Sequence, residues 1–316
     1  MAPKNILLFG ATGQIGTFIL DAILTARSQF DRIAIFTSAA TAEKDQKKHS
    51  YIEKLKQQNV EVIVGSLEDE SAVKAAYEEI DTVISALGRN ALAQQIPLIR
   101  LAATTPSVKW FLPSEYGTDI AYGPASVHEK PHQQKLKVRA VLENEIARSD
   151  LDYSYVVTGP FAEMYLHFAP GFEDAGGWDV KRRKAVLLGD GTERSRFCSV
   201  GRFVVETLLT STPEIRNRPL CVNSFTTSPA EIQAEFERQT GEKWSDISYN
   251  SLDTLRALEA KAWESGSPFA TVLTLRRIWT EGGTLYETRA NGLIGEPETL
   301  TLEEVVANEI KRVNSL

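Results

Sequence analysis

The sequence predicts an α/β protein: a doubly wound, mostly parallel sheet with a smaller C-terminal region packed on it. Three observations carry this. Short apolar runs alternate with helical patterns over residues 5–157. The first run leads directly into a glycine-rich turn that opens a helix. Beyond residue 158 the alternation fades into loop-rich sequence. Strands alternating with helices imply right-handed crossovers and a parallel sheet.

The elements follow in order. Ile6-Leu7-Leu8-Phe9 is a continuous apolar run of the kind buried on both faces. After the turn, Ile15, Phe18, Ile19, Ala22 and Ile23 recur at helical spacing. Further strands are predicted over 32–37, 59–64, 82–85, 108–112 and 153–157, and helices over 43–58, 67–80, 91–104 and 131–149. Residues 158–184, rich in Gly, Pro and aromatics, read as loop with short elements. Ser228-Pro229-Ala230-Glu231 and Thr301-Leu302-Glu303-Glu304 carry helix-start signals. The expected division is a dinucleotide-binding domain over 1–157, with a return segment near 185–225, and a mainly substrate-binding region over 158–316.

Composition excludes several classes. The 316 residues carry a formal net charge of -7, so a nucleic acid is a poor partner. Only Cys198 and Cys221 occur, without metal-type spacing, which suits a reducing compartment. No stretch is long and apolar enough to span a bilayer, and no cleavage-site pattern follows the N-terminus. A cytoplasmic protein acting on a small molecule, without membrane contact, is expected. Nothing in the sequence selects between a monomer and a homodimer.

Gly10-Ala11-Thr12-Gly13-Gln14-Ile15-Gly16 is the strongest motif. It sits between a strand and a helix, where a dinucleotide fingerprint belongs, rather than in a generic glycine-rich turn. Gly10 allows the tight turn, Gly13 lets the backbone approach a pyrophosphate, and Gly16 permits close helix–strand packing. The helix N-terminus offers free N–H groups to the phosphates. The fold is therefore expected to be of Rossmann type. Thr37-Ser38-Ala39-Ala40-Thr41-Ala42, at the end of the second strand, lacks the carboxylate that holds an NAD ribose, and Lys44, Lys47 and Lys48 follow. This favours NADP(H), although a solvated charged helix start has the same composition.

His128-Glu129-Lys130-Pro131-His132 matches a zinc signature in letters only, because Pro131 interrupts the helix that the ligands would share. No metal is expected. His132 is expected at the mouth of the site or facing solvent. No tyrosine stands four residues before a lysine, so the common short-chain dehydrogenase pair is missing. Lys135 is the candidate instead. It lies on the buried edge of the stripe Val138, Val141, Leu142 and Ile146, near a helix N-terminus, whereas Lys137 points away. Burial and the helix dipole would lower its pKa toward the range useful for acid–base work. A snorkelling lysine covering apolar surface fits the same periodicity.

Gly10–Gly16, Phe111-Leu112-Pro113-Ser114-Glu115-Tyr116-Gly117 and Lys135-Leu136-Lys137-Val138-Arg139 together resemble the isoflavone reductase family. That family includes phenylcoumaran benzylic ether reductases and belongs to the NmrA-like atypical short-chain dehydrogenases. Val83–Gly88 and Leu187–Gly191 resemble it as well. The resemblance implies an NADPH-dependent reductase of a small aromatic or conjugated substrate, with Lys135 as general acid/base. It implies cofactor contacts at Thr12, Gln14, Ile15, Ala86, Leu87, Gly88 and Pro113, and places Gly159, Pro160 and Phe161 near the nicotinamide. It implies substrate contacts at Met164, Tyr165, His167 and Phe168. The chain departs from the plant enzymes at Thr37, where arginine is usual. The NmrA-like group also contains dinucleotide-binding regulators without catalysis. They lack the catalytic lysine.

Overall fold

A computed structural model describes residues 3–167 and 171–315. The first half alternates as β1 (Asn5–Phe9), α1 (Gln14–Thr25), β2 (Arg32–Thr37), α2 (Gln46–Gln57), β3 (Glu61–Val64), α3 (Glu70–Ala76), β4 (Thr82–Ser85), α4 (Gln95–Thr104), β5 (Trp110–Leu112), α5 (Gln133–Ala140) and β6 (Asp152–Val157). There follow α6 (Ala162–Tyr165), β7 (Gly177–Asp179), β8 (Lys184–Leu188), β9 (Ser195–Phe197), α7 (Val200–Leu209), β10 (Arg218–Cys221) and β11 (Phe225–Thr227). The chain ends with α8 (Pro229–Thr240), β12 (Asp246–Asn250), α9 (Leu252–Glu264), α10 (Ala270–Thr280) and α11 (Leu302–Asn314).

Seven strands form one parallel sheet in the order β10-β6-β5-β4-β1-β2-β3. This is the Rossmann-type α/β fold. Both faces are covered, which is why Ile6–Phe9 of β1 are all apolar. Ile6 and Leu8 pack with Ile19, Leu20, Phe203 and Val204 of α1 and α7. Leu7 and Phe9 face the other way, toward Val73, Leu98, Ile99 and Val138 of α3, α4 and α5. The chain reverses direction across the sheet between β1 and β4, and such switch points open a crevice at the carboxyl ends of the strands.

Two smaller sheets, β12-β8-β7 and β11-β9, complete the C-terminal part. They enclose a second core of Tyr165, Trp178, Phe197, Phe236 and Trp244. Ser228 and Thr301 form full capping boxes with Glu231 and Glu304. Among the described residues, no helix is long and apolar enough to cross a membrane.

Two helix boundaries differ from the sequence expectation. The helix predicted over 67–80 shortens to α3, because the Asp69 carboxylate accepts from Ser71 N and Ala72 N at 3.0 and 3.1 Å. The helix predicted over 131–149 is a composite. A 3₁₀ turn at Lys130–His132 leads into α5, and a π turn at Val141–Glu145 ends it at Ile146.

Helices α1 and α7 approach closely enough to exclude a methyl group. A Cβ on Gly201 would overlap the Phe18 carbonyl and lie 2.9 Å from Ala22 Cβ. Gly201→Ala is expected to destabilise the protein by about 1–3 kcal/mol through overpacking. Urea denaturation would read this as a lower midpoint at unchanged slope. Gly292→Ala, where a Cβ meets nothing within 4 Å, serves as the control.

Candidate active site

The glycine loop takes its shape from contacts that only glycine permits. Gly10 has φ +77°, and a Cβ there would lie 2.5 Å from Ala86 O. A Cβ on Gly16 would overlap the Gly10 carbonyl, so α1 starts directly against the end of β1. Gly13 is the N-cap of α1 and brings no capping side chain. Gln14, Ile15 and Gly16 therefore present their N–H groups to whatever lies at the helix N-terminus. This cradle fits a pyrophosphate, since uncapped amides and the positive end of a twelve-residue helix converge there.

A cleft of about 580 Å³ opens beside the loop, lined among others by Gly10, Thr12, Thr37, Ser38 and Leu87. Phe36, Val64 and Leu67 supply its apolar wall. The far end is built from hydroxyls. Thr37, Ser38, Thr41 and Ser66 line it together with Glu68. Ser38 Oγ donates to Thr41 Oγ1 at 3.1 Å and accepts from Thr41 N at 3.2 Å. Lys44 is exposed and outside this lining, and Lys48 turns to Asp45 at 3.3 Å. The donors available at this end are therefore hydroxyls rather than the lysines that the sequence suggested. Val64, Ser66, Leu67 and Glu68 were not foreseen. Their signal is topological, because β3 ends next to β2 in the sheet.

Ala86, Leu87 and Gly88 follow β4 on the other side of the switch point. Ser114 Oγ donates to Leu87 O at 2.9 Å, and Ser114 N donates to Gln95 Oε1 at 2.7 Å. The Pro113–Gly117 segment is thus tied to the cleft wall. Lys135 is half-buried and its Nζ donates to Glu115 O at 2.7 Å, over Gly117, where a Cβ would lie 3.7 Å from Nζ. Burial lowers its pKa below the ordinary lysine value; Arg139 and Arg89 add to the lowering, whereas Glu115 and Asp119 oppose it. Lys137 is exposed.

The sequence reading missed a buried ion cluster beneath this lysine. Arg139 bridges both carboxylate oxygens of Glu115 at 3.1 and 3.0 Å and reaches Asp119 Oδ1 at 3.1 Å. Burial works against the Arg139 charge, but Glu115 and Asp119 outweigh it and raise its pKa.

The Gly159–Phe161 segment is pinned to the same loop. Thr158 N and Gly159 N both donate to Gly117 O, at 3.0 and 2.9 Å. Pro160 O accepts from Cys198 N at 3.1 Å, and Phe161 bridges to Cys198. Met164 is half-buried. Tyr165 turns into the second core, edge-on to Phe197 with ring centroids 4.8 Å apart. His167 Nε2 lies 3.2 Å from Glu309 Oε2. Phe168 lies outside the described residues.

His128 and His132 lie on separate 3₁₀ turns with Glu129 extended between them, so they do not share a helix face. His132 does not face solvent, as one sequence expectation had it. It is buried, and its Nδ1 lies 2.8 Å from Ser126 O.

The profile of the NmrA-like family matches residues 2–259. This chain belongs to the NmrA-like family. It is similar to a phenylcoumaran benzylic ether reductase of Pyrus communis, at 27% identity over 87% of this chain and 86% of that one. In structure it resembles the binary complex of leucoanthocyanidin reductase with NADPH from Vitis vinifera. The TM-score is 0.80 at 20% identity, covering 97% and 99% of the two chains. It also resembles isoflavone reductase, with a TM-score of 0.78 at 22% identity over 97% and 99%. The resemblance read from the three sequence segments is therefore borne out at the level of family and fold.

Gly13→Val tests the cradle. A Cβ there would lie 3.1 Å from Gly10 O, so a branched side chain crowds the loop whose amides would meet the phosphates. Dinucleotide affinity is expected to fall by at least about ten-fold, the loss of one charge-assisted hydrogen bond. Quenching of intrinsic tryptophan fluorescence on NADPH titration measures it. Normal binding by this variant would place the phosphates elsewhere.

Proposed function

We propose that this NmrA-like protein is an NADPH-dependent reductase of a small aromatic or conjugated molecule, with Lys135 as its general acid/base. The observation that carries the proposal is the position of Lys135. Its Nζ is held by Glu115 O at 2.7 Å in a loop hydrogen-bonded to the wall of the dinucleotide cleft. When bound, NADPH supplies the hydride. Gly10, Gly13 and the N-terminus of α1 would hold its pyrophosphate, and Thr37, Ser38 and Thr41 its adenosine end. Gly159, Pro160 and Phe161 would line the nicotinamide side, with Met164 and His167 toward the substrate.

The chain's own part in the chemistry is proton management and orientation. One Nζ proton is committed to Glu115 O, which aims the remaining valences of the nitrogen. Because burial favours the neutral amine, Lys135 gives up a proton more readily than a solvated lysine. It can therefore protonate a substrate oxygen on which charge develops. The reductase names of the relatives support this class of reaction.

Two measurements follow. NADPH is expected to bind more tightly than NADH, because hydroxyls at the far end of the cleft can donate to a 2′-phosphate. Parallel fluorescence titrations decide, and equal or tighter NADH binding would remove that role from Ser38 and Thr41. Lys135→Ala is expected to keep NADPH affinity within a few-fold and to lose about 10²–10⁴ in turnover of enones or benzylic ethers. Lys137→Ala, on the exposed face, should be silent. A rate that survives Lys135→Ala would remove the mechanism and leave the fold intact.

A further inference from the structure

Among the described residues, the buried Arg276 has no counter-ion. Arg276, on α10, is only 7% exposed and makes no ion pair among the described residues. Its neighbour Arg277 takes the nearby carboxylates, bonding Glu129 and Glu281 at 2.7 and 2.9 Å and also Glu259. Arg276 Nη2 donates to the backbone oxygen of Tyr165 at 2.8 Å. Its guanidinium carbon lies 3.7 Å from the Tyr165 ring centroid and 5.8 Å from that of Trp279. Among the described residues Nε and Nη1 have no acceptor, and neither has the buried Nε1 of Trp178, whose ring lies 6.1 Å from that of Tyr165.

The aromatic rings offset part of the cost of burying this charge. They offer nothing directional to Nε–H and Nη1–H, and buried charges are ordinarily paired or fully hydrogen-bonded. What the site lacks is a planar anionic acceptor, which the fork of a guanidinium matches in shape. Two links connect this deficit to the loop that holds Lys135. Tyr165 belongs to the segment that continues from Gly159–Phe161. Trp279, beside Arg276, donates from Nε1 to Thr118 Oγ1 at 2.6 Å. Thr118 follows Gly117, over which the Lys135 amine lies.

We propose that Arg276 is the anchor for a carboxylate on the ligand, so that this protein takes an aromatic or conjugated acid rather than a neutral aromatic. The inference rests on the reading of Lys135 as the reacting end of the same site, but its test reads binding alone.

The probes are cinnamate and its methyl ester, titrated calorimetrically into NADPH-saturated protein. Wild type is expected to bind cinnamate at least about ten-fold more tightly than methyl cinnamate, the contribution of one charge-assisted hydrogen bond. Arg276→Gln should bind the two alike, with the ester's affinity unchanged. Arg276→Lys should keep part of the preference. A merely structural arginine would move both probes together. No preference in wild type, no binding of either probe, or a preference that survives Arg276→Gln would overturn the proposal. Should the Gln variant fail to fold, the wild-type comparison and Arg276→Lys still decide it. Lys135→Ala should keep the preference even if turnover is never found, which separates a failure here from a failure of the reductase reading.

Discussion

The Glu115–Arg139–Asp119 cluster holds the candidate site together. It places two carboxylates and a guanidinium almost out of water. Such a cluster contributes little net stability, yet removing one member leaves an uncompensated buried charge. Its use here is geometric. It clamps the loop after β5 against α5, and the backbone of that loop makes the contacts that matter. Glu115 O receives Lys135, and Gly117 O receives Thr158 N and Gly159 N. Asp119 N donates to Tyr286 Oη at 3.0 Å, tying in the C-terminal part of the chain. Arg139 also lies over the Tyr155 ring, with its guanidinium carbon 4.4 Å from the centroid. One ion cluster therefore aligns α5, the end of β6 and the C-terminal region.

Around that clamp the parallel sheet does the coarse positioning. Parallel strands end on the same edge, so the glycine loop after β1, the Ala86–Gly88 turn after β4 and the Pro113–Gly117 loop after β5 gather at one side. The separation of duties follows. The first βα turn offers backbone amides to an anion, whereas the β5 loop and α5 offer a side-chain amine. Neither depends on the other for its local shape.

The C-terminal part has a different logic. Its core is aromatic, with Tyr165, Trp178, Phe197, Phe236 and Trp244 in mutual contact. Aromatic rings bury much area at low entropic cost and favour a cation above their faces. That setting allows Arg276 to stay buried without a carboxylate. Tyr165 is at once a core residue and the partner of that arginine.

The local chemistry of the sequence determined the dinucleotide half. Continuous apolar runs specify strands buried on both faces, and Gly10, Gly13 and Gly16 are required wherever a strand turns into a helix against a neighbouring strand. Both signals lie within a few consecutive residues, so they were readable in order. The same holds for Lys135, whose helical periodicity already put it at the edge of a buried stripe. Tertiary structure alone decided what depends on distant pairs. Arg139 and Glu115 are twenty-four positions apart, and nothing local marks either as buried. Glu68 and Ser66 enter the cleft only because β3 lies beside β2, and Lys44 drops out because its turn faces water. Arg276 and Arg277 are adjacent and identical in type, yet among the described residues Arg277 meets three carboxylates and Arg276 none, because a helix sends successive side chains in different directions.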